Sequence, residues 1–182
     1  EISACLVGSG DVYKRQILGQ NPEIEQAIHY KIPIIHRAEM LAELMRLKWS
    51  VAVAGTHGKT TTTSLLSTLL MFGGFDPTVF VGGRLNSTGT FGKHGEGPWI
   101  VAESDESDGS FMKLLPTIAI VTNIDNDHMN HYKDLTTLKN TFLNFINRTP
   151  FYGKAILCGD DEHIGDILSQ VNRPYLLYGF KS

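Results

Sequence analysis

The feature that most constrains this chain is an apolar run, Val51-Ala52-Val53-Ala54, that passes without a break into Gly55-Thr56-His57-Gly58-Lys59-Thr60-Thr61. Four consecutive apolar residues with no polar alternation describe a strand covered on both faces, the kind found in parallel sheets joined by helices. A helix is expected directly after the loop, with Leu65, Leu66, Leu69 and Leu70 on its apolar side and an end near Gly73-Gly74. A strand that turns into a helix through a glycine-rich loop presents backbone N–H groups and a positive helix end to an anion. Lys59 is then placed to reach the β and γ phosphates of a nucleotide, and the Thr60 hydroxyl to hold Mg²⁺. Val53 stands where the longer form of this motif has another glycine, so the loop is a shortened G-x-x-G-K-T. The competing reading is a tight strand-to-helix turn with an exposed lysine. The strand, the helix and the threonine run Thr60–Thr63 favour ATP binding, with Gly55, Thr56, His57, Gly58, Lys59, Thr60 and Thr61 as the nucleotide-binding residues.

The rest of the chain repeats the alternation. Asn21-Pro22-Glu23 has the form of a cap, a first-turn proline and an early acid, and opens a helix to about Tyr30. Ile32-Pro33-Ile34-Ile35 is a short strand candidate, and Met40, Leu41, Leu44, Met45 and Leu47 recur at helical spacing. Strands are expected at Val79–Val81, Trp99–Ala102, Ile118–Val121, Ala155–Cys158 and Tyr175–Tyr178. Helices are expected from Leu135, with Leu138, Phe142, Phe145 and Ile146 on one side, and near Glu162–Val171. Strands alternating with helices give an α/β fold with a mostly parallel sheet and flanking helices. Residues 1–16 show no such periodicity. Their Leu6–Gly10 stretch lacks the third glycine and helix of a dinucleotide fingerprint, and the segment reads as a foreign or disordered tail.

Two further polar loops leave apolar strands. Glu103-Ser104-Asp105-Glu106-Ser107-Asp108 begins where Trp99–Ala102 stops, and Asn123-Ile124-Asp125-Asn126-Asp127-His128 follows Ile118–Val121. In an open parallel sheet, ligands gather at the carboxyl ends of the strands. Glu103, the first residue off its strand, is therefore the carboxylate expected to bind Mg²⁺, directly or through water. Two or three of the four acids in that run read as a solvated turn, Glu103 least of all. His128 is open between a metal or phosphate role and a structural one, and His57 between touching a phosphate and shaping the turn.

Composition excludes several classes. A net charge of -3 without a basic cluster argues against nucleic-acid binding. No apolar stretch approaches the roughly 18 residues needed to span a bilayer, and no secretory signal opens the chain, so a cytoplasmic, membrane-free protein is expected. Cys5 and Cys158 form no CxxC pair, and Cys158 sits in an apolar run, which reads as a core thiol.

Taken together, GTHGKTTTT (55–63), ESDESDGSF (103–111) and TNIDNDHMNHY (122–132) stand in the order and spacing of the Mur ligase family, and the chain resembles that family over about residues 17–182. Residues 21–46 and 147–161 resemble its alanine-adding branch. The resemblance implies a phosphate-loop central domain at residues 50–182, truncated at its far end, and a remnant of the UDP-sugar-binding domain with its linker at 17–49. It implies phosphate binding and catalysis by Lys59, Mg²⁺ binding by Thr60, Glu103 and His128, and a catalytic part for His128. It further implies UDP-N-acetylmuramate and L-alanine as substrates, joined through an acyl phosphate in bacterial peptidoglycan synthesis. The alternatives are a murein-peptide ligase of the same superfamily and, for this stretch alone, a nucleotide-binding module without turnover.

Overall fold

The computed structural model describes residues 21–82, 92–127 and 129–180. The expectations for residues 1–16 and for His128 lie outside the described residues. The chain divides into two compact units, Glu1–His36 and Arg37–Ser182.

In the first unit, helix α1 (Pro22–His29) starts as its sequence dictates. The Asn21 side chain accepts from the backbone N–H groups of Glu23 and Ile24 at 2.8 and 3.3 Å, satisfying two donors of the first turn. The strand expected at 32–35 is not formed. Pro33 lacks an N–H to donate to a ladder, and Ile32, Ile34 and Ile35 are all exposed.

The second unit runs α2 (Arg37–Arg46), β1 (Trp49–Ala54), α3 (Lys59–Phe72), β2 (Thr78–Phe80), β3 (Gly92–Lys93), β4 (Trp99–Glu103), a 3₁₀ turn (Ser110–Lys113), β5 (Ile118–Val121), α4 (Met129–Tyr132), α5 (Leu135–Asn147), β6 (Lys154–Cys158), α6 (Glu162–Ile167), a 3₁₀ turn (Leu168–Gln170) and β7 (Tyr175–Tyr178). The strands form one seven-stranded sheet in the order β3-β2-β4-β1-β5-β6-β7. All pairings are parallel except the short β2–β3 pair. β1 lies between β4 and β5, with Val51 opposite Val101 on one side and Ile118 on the other. The chain crosses from one half of the sheet to the other around β1, which makes its carboxyl end a topological switch point.

Strand alternation divides the core by size. Ala52, Ala54, Ala102, Ala119 and Ala155 belong to the cluster that also holds Phe111, Phe142 and Phe145, where small sheet residues leave room for rings. Phe111 sits 5.3 Å from Phe142 and 5.0 Å from Phe145, centroid to centroid. Val51, Val53, Val101 and Ile120 form the second cluster, against Leu66 and Leu70 of α3. Helix α5 buries Leu138, Phe142, Phe145 and Ile146 as expected, and Leu143 with them. Helix α3 departs from expectation: its buried residues are Thr63 and Ser67, while Leu65 and Leu69 are exposed. The row 63, 66, 67, 70 faces the sheet, and Ser67 Oγ donates to Thr63 O at 2.7 Å, so its hydroxyl is satisfied inside the helix. Cys158 is half-buried and is a free thiol. Strand β7 (Tyr175-Leu176-Leu177-Tyr178) forms one edge of the sheet, and all four of its side chains are exposed.

Phe111→Ala removes a ring fully enclosed between two others. It is expected to lower stability by about 3–5 kcal/mol, seen as an earlier urea midpoint with an unchanged slope. A loss under about 1 kcal/mol would mean that the ring does not hold its loop to the core.

Candidate nucleotide site

The phosphate loop is shaped by the strand that follows it in the sheet. Gly55 has φ +131°, and a Cβ there would lie 2.0 Å from Thr122 Oγ1, so the position admits no side chain. Thr122, the first residue after β5, donates from its hydroxyl to His57 O at 2.7 Å, and Asn123 Nδ2 donates to the same carbonyl at 3.0 Å. In return His57 N donates to Asn123 Oδ1 at 2.8 Å, Thr56 N to Asn123 O at 3.1 Å, and Asp125 N to Thr56 Oγ1 at 2.9 Å. The 122–125 loop thus acts as a template for residues 55–57. The His57 ring lies 3.1 Å from Asp125, both exposed. The Asn126 backbone N–H, and after it His57, hold the Asp125 carboxyl below its ordinary range.

Gly58, at φ +80°, caps α3 without a side chain, and the helix begins at Lys59. Thr60 Oγ1 lies 3.0 Å from both carboxylate oxygens of Glu103, the last residue of β4. Gly82 N, beyond β2, donates to Glu103 Oε2 at 2.7 Å. The parallel register of β2, β4 and β1 brings these groups to one edge of the sheet, as expected for Thr60 and Glu103. A threonine hydroxyl beside a carboxylate suits Mg²⁺, which takes oxygen ligands, keeps several waters and needs few protein contacts. Among the described residues, which do not include His128, no group of three or more His, Cys, Asp or Glu side chains is arranged to hold a metal. Thr61 is exposed on the first turn of α3.

Lys59 turns back over the loop. Its Nζ donates to Gly55 O at 2.7 Å, to Thr56 O at 3.1 Å and to Glu106 Oε1 at 2.9 Å. A solvated turn was expected for two or three of the four acids, and Glu106 is not part of it: the residue is fully buried. Phe111 anchors the run in the core, Tyr132 donates its phenol hydrogen to Glu106 O, and Gly109 N donates to the same oxygen at 2.9 Å. Burial holds the Glu106 carboxyl above its ordinary range, and the Lys59 charge offsets only part of that rise. Burial, followed by the Glu106 charge, also raises the Tyr132 phenol well above its ordinary value. The signals for this burial were Phe111 and Tyr132, neither of which the acid-rich pattern reveals. Asp105 and Asp108 are turn acids, accepting from Ser107 N and Ser110 N at 2.9 Å each.

Sheet order, switch point and glycine loop define a doubly wound α/β domain with a phosphate loop. The chain belongs to the Mur ligase family: the Mur ligase middle domain matches residues 53–182, and the family's catalytic domain matches residues 2–49. The second match starts inside the segment expected to be a foreign tail. Among curated proteins, the UDP-N-acetylmuramate–L-alanine ligase of Geotalea uraniireducens is 57% identical over 162 residues, covering 89% of this chain and 35% of that protein. The chain therefore spans about a third of that relative's length. The crystal structure of the UDP-N-acetylmuramate-alanine ligase of Thermotoga maritima matches with a TM-score of 0.71 at 30% identity, over 89% of this chain and 37% of that one. The crystal structure of the Neisseria UDP-N-acetylmuramate:L-alanyl-gamma-D-glutamyl-meso-diaminopimelate ligase matches with a TM-score of 0.77 at 25% identity, over 90% of this chain and 57% of that one.

The two loop glycines are expected to respond differently. Gly55→Ala meets Thr122 Oγ1 at 2.0 Å and should displace the 122–125 template, whereas nothing lies within 4 Å of a Cβ at Gly58. Gly58→Ala then carries only the left-handed backbone cost of about 1–2 kcal/mol, and Gly55→Ala more than that, read from urea midpoints. Equal losses would show that the contact with Thr122 does not constrain the loop.

Proposed function

We propose that this chain carries the ATP-binding part of a bacterial cytoplasmic ligase that joins L-alanine to UDP-N-acetylmuramate in peptidoglycan synthesis. The observation that carries the reading is the meeting of Lys59, Thr60 and Glu103 at one sheet edge, with Thr60 and Glu103 3.0 Å apart. The 57% identity to a protein of that named activity supports the choice of acid and amine. Residues 50–182 are read as the central nucleotide domain and 17–49 as a remnant of the UDP-sugar domain and its linker.

In this reading the muramyl carboxylate attacks the γ-phosphorus of ATP, and the bond to the ADP oxygen breaks. The amine of L-alanine then attacks the acyl carbon, phosphate leaves, and the amide remains after loss of a proton. Such transfers depend on positioning and charge neutralisation more than on covalent help from the protein. The loop N–H groups and the start of α3 bind phosphate oxygens, and Lys59 supplies a point charge at the β and γ groups. Thr60, Glu103 and His128 are the residues that would hold Mg²⁺, which when bound neutralises phosphate charge. His128 is assigned this role from its place in the family motif.

A second reading, a ligase adding a preformed murein peptide to the same sugar nucleotide, is favoured by the TM-score of 0.77 to the Neisseria enzyme. Its 25% identity, set against 57%, makes it the weaker of the two. Assaying the full-length ligase with L-alanine against the tripeptide separates them by product. The 182-residue stretch by itself is a nucleotide-binding module if it binds ATP without turnover.

Lys59→Ala is expected to bring ATP binding, measured by titration calorimetry, below detection. Wild-type affinity in a folded Lys59→Ala protein would end the phosphate-loop assignment. Glu103→Gln keeps the side chain's shape and removes an anionic ligand. It should weaken ATP binding about tenfold with Mg²⁺ present and little in its absence. An equal loss in both conditions would remove Glu103 from the metal site.

A further inference from the structure

An ammonium has three donors, and those of Lys59 are all engaged: two by carbonyls of its own loop, Gly55 and Thr56, and one by Glu106. The lysine side chain is 14% exposed and that of Glu106 1%, so the pair is largely withdrawn from water. Burying a carboxylate carries a large desolvation penalty, and an apolar pair of similar volume commonly serves stability as well or better. Stability therefore does not account for an acid at position 106. Its supports are also extensive for a turn residue. The phenol of Tyr132 and the N–H of Gly109 both donate to its carbonyl, and Phe111 N donates to Asp105 O at 3.1 Å, fixing the turn on either side. The carboxylate reaches Lys59 from the loop after β4, 47 residues along the chain, whereas the two carbonyls belong to the loop that the lysine itself serves.

We propose that Glu106 is the positioning residue for Lys59: it holds the ammonium over the loop so that phosphates meet a fixed charge. This rests on the nucleotide reading above. Lysine carries considerable rotamer entropy on a flexible stem, and a charge-assisted hydrogen bond to a buried, immobile acceptor removes much of that freedom before the ligand arrives. When triphosphate enters, a phosphate oxygen displaces one of the two neutral loop carbonyls, the weaker acceptors. The bond to Glu106 stays. Lys59 is then shared between a protein anion and the ligand, and its direction is set by the protein.

The test compares Glu106→Gln, which keeps the shape and removes the charge, with Glu106→Asp, which keeps the charge on a shorter stem. ATP and inorganic tripolyphosphate are the ligands, titrated into each protein, with thermal midpoints alongside. The expected result is about tenfold weaker binding of both ligands to Glu106→Gln and about threefold to Glu106→Asp, at thermal midpoints near that of the wild type. Wild-type or tighter affinity in Glu106→Gln overturns the proposal, since tighter binding would make Glu106 a competitor for the ammonium. If Glu106→Gln does not fold, Glu106→Asp decides, and unchanged affinity there overturns the proposal equally. If the wild-type protein binds neither ligand, the nucleotide reading falls and this inference with it. If the wild type binds ATP and Glu106→Gln matches it, only this inference falls.

Discussion

The site depends on the register of one strand. β1 is hydrogen-bonded on both sides and buried on both faces through Val51–Ala54, so it cannot slide without moving apolar residues into the wrong cluster. With β1 fixed, the carboxyl ends of β4 and β5 arrive beside the phosphate loop at set heights. Glu103 pairs in register with Val53, and Thr122 N donates to Ala54 O at 3.0 Å. Geometry of this kind is inherited from the sheet, and the loops add little freedom of their own.

Much of this was legible in the sequence because the responsible patterns are local. An unbroken apolar run, a glycine loop and a following helix state a strand, a turn and a helix in adjacent residues. The strand ends at Glu103 and Val121 were visible for the same reason. What the pattern could not carry was the direction in which each helix faces. Leu65 and Leu69 suggested an apolar side for α3, yet its contact row holds Thr63 and Ser67, because a helix lying close over β1 and β4 places small residues at the closest approach. Hydrophobicity and proximity compete there, and proximity decides.

Glu106 shows the same limit in the other direction. Of the four acids in the six residues Glu103 to Asp108, two or three read as a solvated turn. One of them is buried because Phe111, five residues on, belongs to a cluster formed with Phe142 and Phe145 of a distant helix. No window of sequence contains that fact. The short antiparallel β3, the 3₁₀ turn at Ser110–Lys113 and helix α4 escaped for a related reason, being too brief for any period to register.

Strand β7 has a consequence for work with the isolated chain. Tyr-Leu-Leu-Tyr at an open sheet edge, exposed along its whole length, is a template on which another strand can build. A strand adding there would pair through the backbone groups along the outer side of β7, with the tyrosine and leucine side chains on the two faces of the sheet. This edge is remote from the loop after β1, with β5 and β6 lying between β1 and β7 in the sheet.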